Sequence, residues 1–281
     1  MKILNQWSLL SLIVILALGC SKEVEDEGPP PPPNPYMEVS FTFTQNFNGV
    51  DLNINDTIIY ENVSGNILSV KGLQYLISNI RMNDWEYNNY EIKEYHLVDV
   101  NDPASLTFVA TDSIKIVDYS AISLFLGFRE AQNKTGKFPD LDNKGWGWPP
   151  KWGGGYYTLK MNGRYSDSSS TGIPYDMAVG GKILHEGPID TSYIPNELVG
   201  SMGNSGFELP KLNEPIKKVN VEIRIDVNKL FQDVWGNGNY NLVTYPGNIE
   251  EDAQGSLILS HNLQTAFSLG YIMWNDIPEE E

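Results

Sequence analysis

The chain has 281 residues, of which 41% are hydrophobic and 20% are charged, and its formal net charge is −17 at pH 7. This apolar content is enough for the core of one large domain, which excludes disorder over most of the chain, and the acidity argues against nucleic acid as a partner, because a negative surface repels phosphate backbones. The single cysteine excludes a disulfide within the chain and a cysteine-based zinc site.

Residues 1–20 have the pattern of a bacterial lipoprotein signal peptide. Lys2 supplies a positive start, and residues 9–18 form an apolar run that is too short to span a bilayer. The run ends in Leu18-Gly19-Cys20, which looks like a lipidation motif. We predict lipidation of Cys20, with acyl chains such as palmitate anchoring the protein to the membrane. The alternative is an ordinary signal peptide with an incidental cysteine.

Residues 21–35 are predicted to form a disordered linker. An acidic run at 21–27 cannot pack into a core, and the prolines at 29–33 favour an extended, semi-stiff chain. An acidic cluster directly after the lipidated cysteine resembles a signal for export to the cell surface, and a solvated spacer with no routing role is the alternative. The expected location is the bacterial cell envelope, lipid-anchored in the outer membrane and exposed at the surface.

From Met37 onward the hydrophobic pattern has a period of two, which is typical of half-buried strands. The clearest alternation begins at Val219, where Val and Ile alternate with polar residues. After a first strand at Met37, strands are predicted at residues 57–60, 66–70, 73–82, 90–100, 105–110, 114–128, 156–165, 178–184, 219–227 and 256–259.

Helix signals are few. Asp226 is predicted to cap a short helix over 227–234, and Ser260 to cap a helix that runs to Leu269. Two segments rich in turn residues, 129–155 and 186–215, are predicted to be long loops that carry the site. Many short strands with little helix predict one all-β domain over 36–278, a β-sandwich or Greek-key fold with long loops and one or two short helices.

The motifs of common catalytic sites are missing from the sequence. Gly153-Gly154-Gly155 is not followed by Lys and Ser or Thr, so it is not a phosphate-binding loop, and His185 lacks a second histidine at zincin spacing. A cysteine nucleophile is excluded because Cys20 is used for lipidation. We therefore expect a protein without catalytic activity.

A tryptophan-rich segment is the most distinctive local feature. Trp146, Trp148 and Trp152 lie within seven residues, and Tyr156 follows four residues after Trp152. Aromatic faces bind sugars and cations by stacking, so these four residues are the predicted ligand-binding group. The alternative is that individual tryptophans close one end of the core.

Metal-ligand candidates are weak. Asp140 and Asp142, followed by Gly145, hint at a calcium loop, although Lys144 stands where an oxygen ligand is wanted. Among the three histidines, His185 is the strongest candidate for a metal ligand, His96 lies in a predicted strand, and His261 lies at a predicted helix start.

Several short motifs occur in an order that identifies a family. The motifs are Leu73-Gln74-Tyr75-Leu76-Ile77-Ser78-Asn79-Ile80, Tyr95-His96-Leu97-Val98-Asp99, residues 122–127, Trp146-Gly147-Trp148 with Gly155-Tyr156 and residues 159–163, and Val221-Glu222-Ile223-Arg224-Ile225-Asp226-Val227. Together they resemble the MbnP-like family of envelope lipoproteins over most of residues 37–275.

The resemblance implies a β-sandwich domain, copper as the ligand, and a dihaem peroxidase as partner. In the founding members copper is held by histidine and by kynurenine, which the peroxidase makes from tryptophan. This chain departs from that pattern, since Ala178 and Glu222 stand where relatives often carry histidine, and Pro149 to Trp152 are additional. Alanine offers no ligand atom and a carboxylate suits harder metals, so we predict weak copper(I) binding that tightens when both histidines are restored.

The favoured function from sequence is therefore non-catalytic binding by an envelope lipoprotein, with copper or another metal as the first candidate ligand. One alternative is capture of a glycan or small ligand on the tryptophan-rich segment. Another is a structural or partner-binding module.

Overall fold

The computed structural model describes residues 36–57, 59–110, 114–115, 119–180, 182–184, 191–193, 197–201, 217–233, 236, 238–247 and 252–276. All of them belong to one compact unit. The predicted signal peptide, the linker and His185 lie outside these ranges, so the predictions for them stay predictions.

Sixteen strands are present in the described residues. They are β1 (Tyr36–Phe47), β2 (Val50–Asp51), β3 (Tyr60–Glu61), β4 (Ile67–Leu68), β5 (Gly72–Asp84), β6 (Asn89–Asp99), β7 (Thr107–Val109), β8 (Ile114–Lys115), β9 (Tyr119–Leu126), β10 (Tyr157–Ser166), β11 (Ile173–Gly180), β12 (Lys182–Leu184), β13 (Thr191–Tyr193), β14 (Glu197–Ser201), β15 (Lys217–Asp226) and β16 (Phe267–Asp276). The all-β prediction is confirmed.

The first sheet has six strands, centred on β1. Its path is β16-β15-β1-β2, with β7 and β8 also paired to β1. Strands β1 and β15 run parallel, with Phe41 opposite Val221. Both strands were predicted from their alternating sequences, and their apolar residues are buried as expected.

The second sheet has eight strands, centred on β5. Its path is β14-β9-β5-β10-β4-β3, with β6 paired to β5 and β11 paired to β10; β12 and β13 form a separate two-stranded sheet. The two large sheets pack face to face through aromatic residues. The ring of Tyr75 lies 6.3 Å from that of Phe43 and 5.1 Å from that of Phe267, both in the first sheet.

The strand register divides the second sheet into an inner and an outer face. Tyr75, opposite Leu159, points at the first sheet. Because side chains alternate along a strand, the neighbouring row of Gln74, Lys160 and Ala178 lies on the outer face, away from the first sheet. This outer face carries the candidate site.

Two helices and three 3-10 turns complete the described residues. The helices are α1 (Pro139–Asn143) and α2 (Ala253–Ala266), and the 3-10 turns are Pro103–Leu106, Pro150–Trp152 and Val227–Phe231. Asp226 caps the last turn as predicted, its carboxylate accepting the backbone N–H of Asn228 at 3.1 Å. The described residues contain no helix that is long and apolar enough to cross a membrane.

The strand predicted over 256–259 was wrong, and the helix predicted from Ser260 to Leu269 is present only as far as Ala266. Helix α2 begins three residues before the predicted strand, with the carboxylate of Asp252 accepting the N–H of Gly255 at 2.8 Å, and it passes through Ser260 without a break. Strand β16 then starts at Phe267, inside the predicted helix. A short apolar run fits a strand or a buried helix equally well. Here the N-cap that the Asp252 side chain supplies favours the helix.

Other predicted boundaries also shift. The loop predicted over 186–215 contains β13 and β14, and β14 pairs with β9 along Leu124. The strand predicted over 105–110 begins as the 3-10 turn Pro103–Leu106 and becomes β7 only at Thr107. Strand pairing with a distant partner produces these differences, and a local pattern does not contain that information.

Candidate functional site

Residues 128–157 cover about half of the outer face of the second sheet, and we call this segment the aromatic cover. It contains α1 and the 3-10 turn at Pro150–Trp152. Tyr95, on the outer face of β6, contacts Phe138 with ring centroids 4.7 Å apart, and Phe138 stacks on Phe128 at 4.4 Å. These rings extend the hydrophobic core above the sheet.

Trp146 and Trp148 are anchored in the aromatic cover. The Trp146 indole N–H donates to the carbonyl of Tyr157 at 2.7 Å, and the Trp148 indole N–H donates to the carbonyl of Trp152 at 3.2 Å. Only glycine fits at position 180 of β11, because a Cβ there would collide with the Trp148 ring. The cover therefore packs on the sheet with close contact.

The predicted stacking platform does not have the open ring faces that it requires. Trp146 and Trp148 are each 2% exposed and Tyr156 is 1% exposed, with the Tyr156 hydroxyl accepting the N–H of Phe138 at 2.7 Å. Trp152 is half-buried and packs against the core. A ring buried on both faces cannot stack on a sugar, so for Trp146, Trp148 and Tyr156 the geometry favours the alternative, in which these residues close the core.

Asp140 and Asp142 do not converge on one point. Both lie in helix α1, and residues two apart on a helix project roughly 200° from each other. Asp140 instead accepts a hydrogen bond from the Tyr95 hydroxyl at 2.6 Å. In the described part of the chain, no group of three or more His, Cys, Asp and Glu side chains is placed to hold a metal ion.

The two histidines within the described residues, His96 and His261, lie in regular structure and in no group of metal ligands. His96 lies between the sheets, stacked on Phe43 at 5.4 Å, with Nε2 at 2.7 Å from the carbonyl oxygen of Ser105. Burial lowers the pKa of His96 to about 4, so the ring is neutral at pH 7. His261 lies inside α2 and not at a helix start, because α2 begins at Ala253.

The two positions where relatives carry histidine do not fit one copper ion. Ala178 is buried on the outer face of the second sheet, beside Lys160. Glu222 lies on the outer face of the first sheet, beside Thr44. Two packed sheets are about 10 Å apart, so side chains on their opposite outer faces cannot reach a shared ion.

The carboxylate of Glu222 is already fully engaged. It accepts hydrogen bonds from the Thr44 hydroxyl at 2.7 Å, from Arg224 Nη2 at 2.7 Å and from the backbone N–H of Tyr271 at 3.0 Å. Burial opposes the charge of Glu222, yet these hydrogen bonds lower its pKa overall. The residue is a structural anion on the first sheet.

The uncovered half of the outer face holds a feature that the sequence reasoning missed, which we call the polar groove. It consists of two adjoining cavities of about 730 and 590 Å³ that share Asp56, Lys71, Asn162 and Asp176. Its other polar lining residues include Asn55, Gln74, Asp99, Asn101, Lys160 and Arg164.

The strands place these side chains in one row. Asn162 of β10 pairs with Gly72 of β5 and with Asp176 of β11, and all three lie on the outer face. A Cβ at Gly72 would approach Asn162 Oδ1 to 3.2 Å, so the glycine leaves room for the amide. The backbone at Pro246 forms one wall, its carbonyl accepting the N–H of Asp176 at 3.3 Å.

Charges in the groove are mixed. Lys71 Nζ lies 3.5 Å from Asp56, and the Gln74 amide donates to Asp99 at 2.7 Å. Loss of surrounding water raises the pKa of Asp176, and the positive charge of Lys160 opposes that rise. The groove thus combines carboxylates, amides and cationic groups on a rigid sheet.

The sequence did contain a signal for this groove. Polar residues at alternate positions of β10, namely Lys160, Asn162 and Arg164, mark the solvent face of a strand. What the pattern could not show was that residues from 54–56, 71 and 246–247 form walls around that face, since this depends on long-range folding.

Comparisons with known proteins place the chain in a family. The MbnP family model matches residues 36–249, which is more than half of the chain, so the chain belongs to the MbnP family. Among solved structures, MbnP from Methylosinus trichosporium is similar, with 13% identity, 69% of this chain and 77% of that chain covered, and a TM-score of 0.43. No curated protein matches the chain. The family resemblance drawn from the sequence motifs is confirmed.

Proposed function

We propose that this MbnP-family protein is a lipid-anchored, non-catalytic binding protein of the bacterial cell envelope. We further propose that its ligand is a small neutral molecule rich in hydroxyl groups, held in the polar groove. The observation that carries this proposal is the mixture of carboxylates, amides and cations on one rigid sheet face.

The chemistry of the groove selects the ligand class. Carboxylates such as Asp176 only accept hydrogen bonds, Lys71 and Arg164 only donate them, and the Asn162 amide does both. A hydroxyl group both donates and accepts, so a ligand with several hydroxyls pairs with all three kinds of side chain. An isolated anion or cation in the groove would instead face like charges as well as opposite ones.

Copper remains a prediction, but it has less support than the polar groove. Ala178 and Glu222 lie on opposite outer faces, and Glu222 is occupied by its own hydrogen bonds. The strongest histidine candidate, His185, lies outside the described residues. The peroxidase partner implied by the resemblance is not part of this proposal, because Trp146 and Trp148 serve to close the aromatic cover.

The membrane anchor is supported by the sequence of the first twenty residues and is tested separately. Cells expressing the protein are labelled with an alkyne fatty acid, and Cys20→Ala is compared with the unchanged chain. We expect label on the unchanged protein alone and a mature N-terminus at Cys20. Equal labelling of the two chains would remove the anchor from the proposal and leave the groove untouched.

The groove is tested with neutral sugars. The mature protein is screened by thermal shift against glucose, galactose, mannose, maltose, lactose and inositol, and any stabilising ligand is measured by calorimetry. We expect Asp176→Asn to weaken binding about tenfold, since a hydrogen bond to a charged group contributes roughly 1.5 kcal/mol or more. Asn162→Ala is expected to weaken binding about 2- to 12-fold, since a neutral hydrogen bond contributes roughly 0.5–1.5 kcal/mol.

The matched control is Asp51→Asn, an exposed aspartate on β2 of the first sheet. It changes the same charge without touching the groove and is expected to leave affinity unchanged. Absence of any stabilisation by these ligands, or equal affinity in the groove variants, would reject the proposed ligand class. Copper(I) titrated against a competing chelator, in the same preparation, tests the metal alternative.

A further inference from the structure

The tip of the hairpin between β5 and β6 presents two aromatic side chains to solvent. Trp85 is 66% exposed and Tyr87 is 89% exposed. Two large rings at one turn are costly to leave in water, and their exposure contrasts with the complete burial of Trp146 and Trp148. The structure gives these two rings no packing role.

The turn that holds the rings is fixed by Asp84. Its carboxylate accepts the backbone N–H groups of Glu86 at 2.9 Å and Asn88 at 2.8 Å, the Asn88 amide at 2.9 Å and the Tyr90 hydroxyl at 3.1 Å. The Ser120 hydroxyl donates to the Asp84 carbonyl at 3.0 Å. The backbone of the turn that carries the rings is thus held by hydrogen bonds before any ligand arrives, which lowers the entropy lost on binding.

Tyr87 itself has a costly backbone conformation. Its φ is 65°, in the left-handed region where glycine is favoured and other residues lose roughly 1 kcal/mol. The chain accepts this cost at the one residue of the turn whose ring is most exposed. Strain of this kind is concentrated at functional positions.

The charge around the tip narrows the choice of partner. Residues 83–92 contain three acidic residues and no basic residue. Such a segment repels anionic lipid headgroups and nucleic acids. Glu86 lies between Trp85 and Tyr87 in the chain and is exposed, so its carboxylate can accept a hydrogen bond from a sugar hydroxyl. A neutral sugar ring needs an aromatic face for its C–H groups and polar neighbours for its hydroxyls.

We propose that Trp85 and Tyr87 form a stacking site for the pyranose rings of a neutral polysaccharide. The site is separate from the polar groove, because Gln74 and Asp84 are ten residues apart along β5, roughly 30 Å at the rise of a strand. A small ligand in the groove therefore does not reach the tip, and either site can exist without the other.

Affinity electrophoresis of the mature protein tests this proposal. Native gels are cast with laminarin, xylan, galactomannan or dextran, and the proteins compared are the unchanged chain, Trp85→Ala, Tyr87→Ala and the double variant. Tyr271→Ala serves as the control, since Tyr271 of β16 is 67% exposed on the other sheet. We expect at least one polysaccharide to retard the unchanged chain and the control.

The double variant is expected to bind that polysaccharide at least tenfold more weakly, with an unchanged melting temperature because both rings are exposed. Asn162→Ala is expected to keep full retardation, which separates this site from the groove. No retardation of the unchanged chain by any of the four polymers, or equal retardation of the double variant, overturns the proposal. Binding to phosphatidylcholine vesicles that the double variant loses also overturns it, in favour of a membrane contact.

Discussion

The two halves of the outer face of the second sheet are built from the same strands and differ in what lies above them. Over one half, the aromatic cover buries Trp146 and Trp148 and excludes water. Over the other half, the row of Asn162 and Asp176 stays open and polar. Lys160 stands between them, lining the groove while its ammonium contacts the cover.

This contrast shows that the most conspicuous residues in the sequence have a structural role. Tryptophans in a glycine-rich segment are conspicuous, yet burying them contributes stability and leaves no ring face for a ligand. The groove is lined by common residue types taken from distant parts of the chain. A search for the ligand therefore belongs in the open half.

The largest expected effect is that of removing Trp146, which tests whether the aromatic cover is part of the core. Trp146→Ala is expected to lower the free energy of unfolding by about 3–5 kcal/mol, because it deletes a buried ring together with its hydrogen bond to Tyr157. Urea unfolding measures the change. Trp85→Ala, the same substitution at an exposed ring, is expected to change it by no more than about 0.5 kcal/mol. Similar losses in the two variants would show that the cover is not a core.

Sequence and structure agree best where a local pattern determines the outcome. The alternation along β1 and β15 specified which residues are buried, and the family motifs specified the sandwich. The outer face was not predictable in the same way. Whether Ala178 or Asp176 is covered depends on where residues 128–157 pack, and nothing in the local sequence of β11 records that.

The inner face of the same sheet extends the comparison, because it packs against the first sheet and carries His96. The folded pKa of His96 is about 4, against 6.5 for an ordinary histidine. As pH falls below about 6.5 the unfolded chain takes up a proton that the folded chain does not, so stability decreases between about pH 6.5 and 4, by about 3 kcal/mol in total.

His96→Phe removes the proton uptake and keeps a ring between Phe43 and Phe108. Urea midpoints measured from pH 7 to pH 4 are expected to fall less steeply in this variant than in the unchanged chain. Parallel pH dependence in the two proteins would mean that His96 is hydrated and that the inner face is not closed at that position.

Substitutions at Ala178 and Glu222 test whether these residues lie on the opposite outer faces of the two sheets. Ala178→His inserts a ring under the aromatic cover and is expected to cost about 1–3 kcal/mol of stability. The double change with Glu222→His is expected to bind copper(I) no more tightly than the better single variant, because the two side chains lie on opposite sheets. A double variant at least tenfold tighter than either single would mean that they share an ion and that the faces are assigned wrongly.

Lys160 lies at the boundary between the aromatic cover and the polar groove, and replacing it gives a small expected loss of stability that tests where this boundary lies. Its ammonium lies 3.8 Å from the Tyr157 ring centroid and 4.7 Å from that of Trp146, and it donates to the carbonyl of Gly145 at 3.1 Å. Lys160→Met keeps the stem and removes the charge, so we expect a loss of about 1 kcal/mol in urea unfolding.

The same substitution is also expected to change the pKa of Asp176 in the groove, which a loss of packing alone would not do. Lys160 lowers the pKa of Asp176, so its removal should raise that pKa further, which NMR titration of the Asp176 carboxyl measures. Lys137→Met, which removes a cation 5.1 Å from the Phe138 ring, is the control and should leave Asp176 unchanged. If Lys160→Met lowers stability without moving the pKa of Asp176, the ammonium belongs to the cover alone and the boundary between the two halves lies nearer to Asn162.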